Sequence, residues 1–105
     1  MTMQLEVFPN TLVRARRAYP YLVVLQADIA ALGRERIIAF LAPRAEIGPI
    51  SGRLMPVVEI GDREFVLLMP SMTNVPVTGL RHSVANLGAF RDRIVDAIDW
   101  TFQGI

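Results

Sequence analysis

Apolar and polar residues alternate along QLEVF, Gln4 to Phe8, as they do in a strand buried on one face. The Pro9-Asn10 pair then ends it. Two later runs are continuous instead of alternating. YLVVLQ, Tyr21 to Gln26, is rich in β-branched residues and predicts a central strand buried on both faces. RIIAFLA, Arg36 to Ala42, predicts another, with Gly33 breaking the chain before it and Pro43 after it. The sharpest local signal is PVVEIGDREFVLL. Its strand-like runs, Val57 to Ile60 and Arg63 to Leu68, flank Gly61-Asp62. Glycine in the first position of a two-residue loop supplies the positive φ of a type II′ hairpin turn. In MPSMTNVPV, Pro70 and Pro76 lack the N–H a ladder needs, so any strand there lies at an edge or is broken.

From about Val84 the period lengthens to that of a helix, with Asn86 or Ser83 placed to cap its start. On a wheel centred on Ile94, a broad apolar arc holds Leu87, Phe90, Val95, Ala97, Ile98, Thr101 and Phe102, with Arg91 the one charge inside it. Asp92, Arg93, Asp96, Asp99, Trp100 and Gln103 fall on the other side. The predicted architecture is mostly β, an antiparallel sheet closed by one C-terminal α-helix. The wheel assigns Phe102 to the core. It leaves Trp100 on the polar side, either as an exposed interface anchor or packed against a neighbouring strand or a second subunit. The chain ends IDWTFQGI, and so apolar an ending calls for a reason, because termini are ordinarily polar and loosely held.

Composition changes this picture in one respect. At 105 residues the chain supports one hydrophobic core, so residues 1–105 read as a single domain. Yet 52% of it is hydrophobic, which predicts apolar surface left over for a subunit interface. A net charge of +1 excludes the electrostatic footprint of a nucleic-acid or anionic-membrane binder. Arg14, Arg16 and Arg17 of RARR, with Arg34 and Arg36, read as a flexible, solvated basic loop. Cysteine is absent, which removes disulfides, thiolate chemistry and Cys-type zinc sites and fits a reducing compartment. MTMQLEVFPN has no signal-peptide pattern, and the longest apolar runs are strand-sized. The expectation is a soluble cytoplasmic protein with no membrane contact.

Candidate chemistry is thin. His82, the only histidine, has no cysteine to activate, and no serine of the chain sits in a G-x-S-x-G elbow. Asp92, Asp96 and Asp99 share a helical face, but Arg93 is interleaved and a solvated face accounts for them. Gly48 and Gly52 belong to no phosphate-loop pattern. The inventory points to a binding protein, not an enzyme, with no cofactor and no metal.

Several blocks resemble the CcdB family of toxins: MQLEVF from Met3, LQADI from Leu25 to Ile29, LMPVVEIGDREFVLLM from Leu54 to Met69, NVPV after it, and the ending DAIDWTFQGI. The PVV-x-IGD block and the terminal Gly-Ile are the most specific of these. The resemblance implies an SH3-like β-barrel of the CcdB/MazF type with a C-terminal helix, assembled as a homodimer. It implies a type II toxin that binds the A subunit of DNA gyrase and traps its cleaved-DNA complex, neutralised by a CcdA-like antitoxin. Direct nucleic-acid binding is not part of that action.

Carried over residue by residue, the resemblance assigns the gyrase-binding surface to Ile29, Ala30, Asp99, Trp100, Gln103, Gly104 and Ile105. Ile29, Gly104 and Ile105 match the family. Ala30 replaces an isoleucine, and Asp99 replaces an asparagine, exchanging a donating amide for an acceptor-only carboxylate. Gln103 replaces the tryptophan of the gyrase-poisoning members. Losing such an anchor costs on the order of 2–4 kcal/mol. Trp100, one turn earlier, is the candidate substitute. The alternative is a dimeric CcdB-fold binding protein that has lost gyrase poisoning. A ribonuclease like the MazF toxins is a third reading, which near-neutral charge disfavours for want of a basic RNA groove.

Overall fold

A computed structural model describes residues 3–28, 33–49 and 52–104. It holds one antiparallel sheet: β1 (Glu6–Pro9), β2 (Tyr21–Val24), β3 (Glu35–Pro43), β4 (Val57–Ile60), β5 (Arg63–Pro76) and β6 (Ala85–Asn86). One helix follows, α1 (Arg91–Gln103). The six strands are ordered β4-β5-β3-β2-β1-β6 and curl into a nearly closed barrel. The mostly β fold with a C-terminal helix stands as the sequence pattern predicts.

Side chains of β2 and β3 point alternately to two apolar clusters, the period of two that a pleated strand imposes. Leu5, Val7, Val23, Leu25, Ala39, Leu41, Val58, Phe65, Leu67 and Met69 fill the face that α1 covers, joined by Leu87, Ile94 and Ala97. Phe8, Leu22, Val24, Ile38, Val75 and Leu80 form the second cluster on the reverse face. Burial on both faces explains why the YLVVL and RIIAFLA runs do not alternate. Tyr21 meets Phe65 edge-to-face across the larger cluster, with ring centroids 5.4 Å apart.

The hairpin is as expected. β4 pairs with β5 from Val57↔Val66 to Ile60↔Arg63, and Gly61 turns the chain at φ 65° while Asp62 keeps a negative φ, the sign pattern of a type II′ turn. The prolines fall where β5 is an edge, since β4 pairs with it no further than Val66. β5 runs through Pro70 to Pro76, but its register against β3 jumps from Phe40↔Leu68 to Ile38↔Thr73. Pro70, with no N–H to offer, sits in the resulting bulge. Ser71 repairs the ladder there. Its hydroxyl accepts from Phe40 N at 3.1 Å and donates to Leu68 O at 2.6 Å.

Three expectations need correction. QLEVF alternates only as far as Val7: Leu5 and Val7 are buried and Gln4 and Glu6 half-buried, but Phe8 is buried too, in the second cluster. The strand also begins only at Glu6, since Leu5 is held at φ 67° by backbone bonds to Val24 and Leu87. The helix begins later than Val84: β6 and a 3-10 turn at Gly88–Phe90 come first. Neither Asn86 nor Ser83 caps the helix, whose N-cap is Phe90 with no side-chain bond; Asn86 Oδ1 instead accepts locally from Gly88 N at 2.8 Å. Finally, Phe102 is not core. Only Ile94 and Ala97 of α1 are buried, and Phe102 is 69% exposed. A helical wheel gives the direction of a stripe, whereas burial needs a body beneath it, and α1 outruns the body.

Two arginines tie the first turn of the helix to the sheet. Arg93 Nη1 donates to Val57 O on β4 at 3.1 Å, while Arg91 Nη1 donates to the Gln4 side chain, next to β1, at 3.0 Å.

Candidate functional site

Gln4 organises one side of the site. Its backbone N–H donates to Asp28 Oδ1 at 2.6 Å, its Nε2 to Leu25 O at 3.0 Å, and its Oε1 takes the Arg91 bond. The chain leaving β2 is thereby tied to the start of α1. Leu25 N–H still bonds to Ile37 O at 2.9 Å, past the end of the strand, and Gln26 Oε1 accepts from Ile37 N at 3.3 Å. These bonds bring Leu25 and Gln26 alongside the end of α1. With Ile37, Met72, Ile98 and Phe102 they line an apolar groove of about 160 Å³.

The last helical turn is open to solvent. Asp99, Thr101, Phe102, Gln103 and Gly104 are all exposed. Gly104 ends the helix at φ 71°, its N–H bonded to Trp100 O at 3.0 Å, the left-handed C-cap that glycine tolerates best. Its identity therefore has a local cause, whatever else it does. Ile29, Ala30 and Ile105 lie outside the described residues. The structure thus places Asp99, Trp100, Gln103 and Gly104 together on the helix end and sets the last described residues before Ile29 near the helix start.

Trp100 is not the freely exposed anchor that the wheel allows. It is half-buried, with the guanidinium of Arg53 stacked 4.3 Å from the ring centroid. Arg53 also forks onto Asp96, at 2.8 Å from Nε and 3.0 Å from Nη2. Their side chains are 55% and 43% exposed. A surface pair of this kind contributes roughly 0–1 kcal/mol, and an exposed cation–π stack about 0.5–1 kcal/mol. Against them, Trp100 Nε1 is buried without an acceptor among the described residues, an arrangement that costs about 1–3 kcal/mol. The gains and the cost are of the same order. A contact between residues so far apart along the chain leaves no local pattern to read.

Away from the helix, the RARR loop is pinned. Buried Asn10 donates from Nδ2 to Tyr19 O at 2.8 Å, accepts from Leu12 N at 2.9 Å on Oδ1, and accepts from Arg16 Nε at 2.7 Å on its backbone oxygen. Arg14, Arg17, Ala18, Tyr19, Glu46 and Ile47 then line an open cleft of about 490 Å³. No local pattern marks this cleft, because its second wall comes from the turn after β3. His82 is exposed, at φ 64°, and Asp96 is taken by Arg53. No three His, Asp or Glu residues converge as metal ligands among the described residues, and no helix there is long and apolar enough to cross a membrane.

These features define a class: a nearly closed antiparallel barrel with a C-terminal helix packed on one face and the last turn of that helix left bare. The family model described as CcdB protein matches residues 4–104, almost the full length, and the chain belongs to the CcdB family.

Proposed function

We propose that this chain is the toxin of a type II toxin–antitoxin module. As a homodimer in the cytoplasm it binds the A subunit of DNA gyrase, traps the enzyme on cleaved DNA, and is neutralised by a CcdA-like antitoxin. It acts by binding alone and catalyses no reaction. Membership of the CcdB family over residues 4–104 carries this reading. The exposed last turn of α1 supports it, since that turn is free to meet another protein. Ile29, Ala30, Asp99, Trp100, Gln103, Gly104 and Ile105 form the gyrase-facing surface in this proposal. The apolar groove of Leu25, Ile37, Met72, Ile98 and Phe102 is the seat of the second subunit, because a groove so apolar beside a bare phenylalanine gains most from cover.

The test is a supercoiling assay with purified gyrase, run beside an RNA-cleavage assay. Expected is loss of supercoiling with accumulation of cleaved DNA, and RNA left intact. RNA cut in the absence of any effect on gyrase would replace this reading with a MazF-like nuclease. One observation favours a second reading: Gln103 presents an exposed amide where poisoning members of the family present tryptophan. Antitoxin binding with no gyrase inhibition is the outcome that reading expects. Light scattering checks the dimer, which should weigh twice the 11.7 kDa chain.

A further inference from the structure

Trp100 is the only tryptophan of the sequence, and its cover comes from off the helix. Arg53 belongs to the connection between β3 and β4 and contributes nothing to either apolar cluster. It can leave Trp100 without unwinding a turn of α1. Both members of the Arg53–Asp96 pair are half-exposed, so water and other ions already reach them. Beneath the guanidinium the indole N–H has no acceptor among the described residues. The covered arrangement therefore hides an aromatic face and leaves a donor unmet, which is the chemistry of a site closed in the absence of its partner.

We propose that Arg53 is a displaceable cover over Trp100, lifted when the end of α1 engages its protein partner. This rests on the reading that the helix end faces gyrase. A carboxylate on the partner takes the planar guanidinium from Asp96, fork to fork. The uncovered indole then gives its N–H to a partner carbonyl and its face to an apolar contact. An acidic side chain flanked by an open backbone carbonyl is the partner chemistry that fits. In this arrangement Trp100 takes over, under control, the anchoring that Gln103 does not supply.

A single tryptophan makes the cover directly observable through its fluorescence and its one indole N–H resonance. Arg53→Ala is expected to shift the emission to the red, raise quenching by acrylamide and speed indole N–H exchange. Asp96→Asn, which keeps the guanidinium but removes its anchor, should move all three in the same direction by less. Unchanged urea midpoints establish that both variants remain folded. If the cover is closed in about nine molecules of ten, Asp96→Asn, which frees the guanidinium for the partner's carboxylate, binds the gyrase A subunit more tightly than the parent protein, by up to about tenfold. The sign is the decisive feature, because a mere contact residue would weaken binding when removed. Quenching equal to the parent's, or an affinity that falls or stays level, overturns the cover. If the parent protein ignores gyrase altogether, the proposed function fails instead, and the quenching comparison still decides the cover.

Discussion

Ile94 and Phe102 lie on the same apolar stripe of one helix, yet Ile94 is fully buried and Phe102 is 69% exposed. Ile94 sits over the barrel and closes its core with Leu5, Val58 and Leu87. Phe102 lies beyond the body, against a groove that its own chain leaves open. An amphipathic pattern is thus written to the same code in both places, and only the extent of the sheet beneath decides whether it is spent inside the subunit or offered outside. Where a stripe outruns its core, its surplus is the mark of an interface.

The strongest way to break this contrast is Ile94→Ala. Truncating a wholly buried isoleucine costs about 2–5 kcal/mol, and no partner can restore it. Urea denaturation should show a lower midpoint with an unchanged slope. A loss below that range would mean that α1 is a detachable flap and not part of the core. Phe102→Ser should do the reverse. Stability at the level of the single subunit should change by under about 0.5 kcal/mol, as for exposed positions generally. Dimer dissociation should rise by about 2 kcal/mol, roughly thirtyfold, if the groove seats the second subunit. Sedimentation across a dilution series reads this; a dimer indifferent to Phe102→Ser removes the groove from the interface.

Legibility followed the range over which each feature is determined. The hairpin at Gly61-Asp62 was plain because a turn's needs are met within its own residues. The two doubly buried strands were plain because burial on both faces leaves no polar positions to confuse the period. The β5 bulge was half-legible: Pro70 announced a fault, but only the pairing with β3 and the hydroxyl of Ser71 make it a repaired ladder. On α1, Asp99 and Gln103 are exposed on the polar side of the wheel. The wheel left Trp100 either exposed or packed, and what decides between these is Arg53, a residue 47 positions away whose approach depends on the whole fold. The arginine cleft was hidden for the same reason, one wall being RARR and the other the turn after β3.

The smallest effects sharpen the comparison best, because two glycines repeat it with packing removed. Gly61 has φ 65° and Gly104 has φ 71°, and a Cβ built on either meets nothing within 4 Å. Alanine at each therefore carries the same penalty, that of an L-residue at positive φ, about 1–2 kcal/mol. The two should part in where that strain is released. At Gly61 the flanking strands are paired on both sides of the turn, so the full penalty appears as lost global stability. At Gly104 the final turn can fray without disturbing Ile94 or Ala97, and global stability should fall by no more than about 0.5 kcal/mol. Hydrogen exchange should then show faster amides only near the helix end, with the Gly104→Ala variant's urea midpoint close to the parent's. If partner binding nonetheless drops in Gly104→Ala and holds in Gly61→Ala, the ordered last turn is itself part of the recognised surface. If binding follows global stability in both, the helix end is no more than the place where the fold stops.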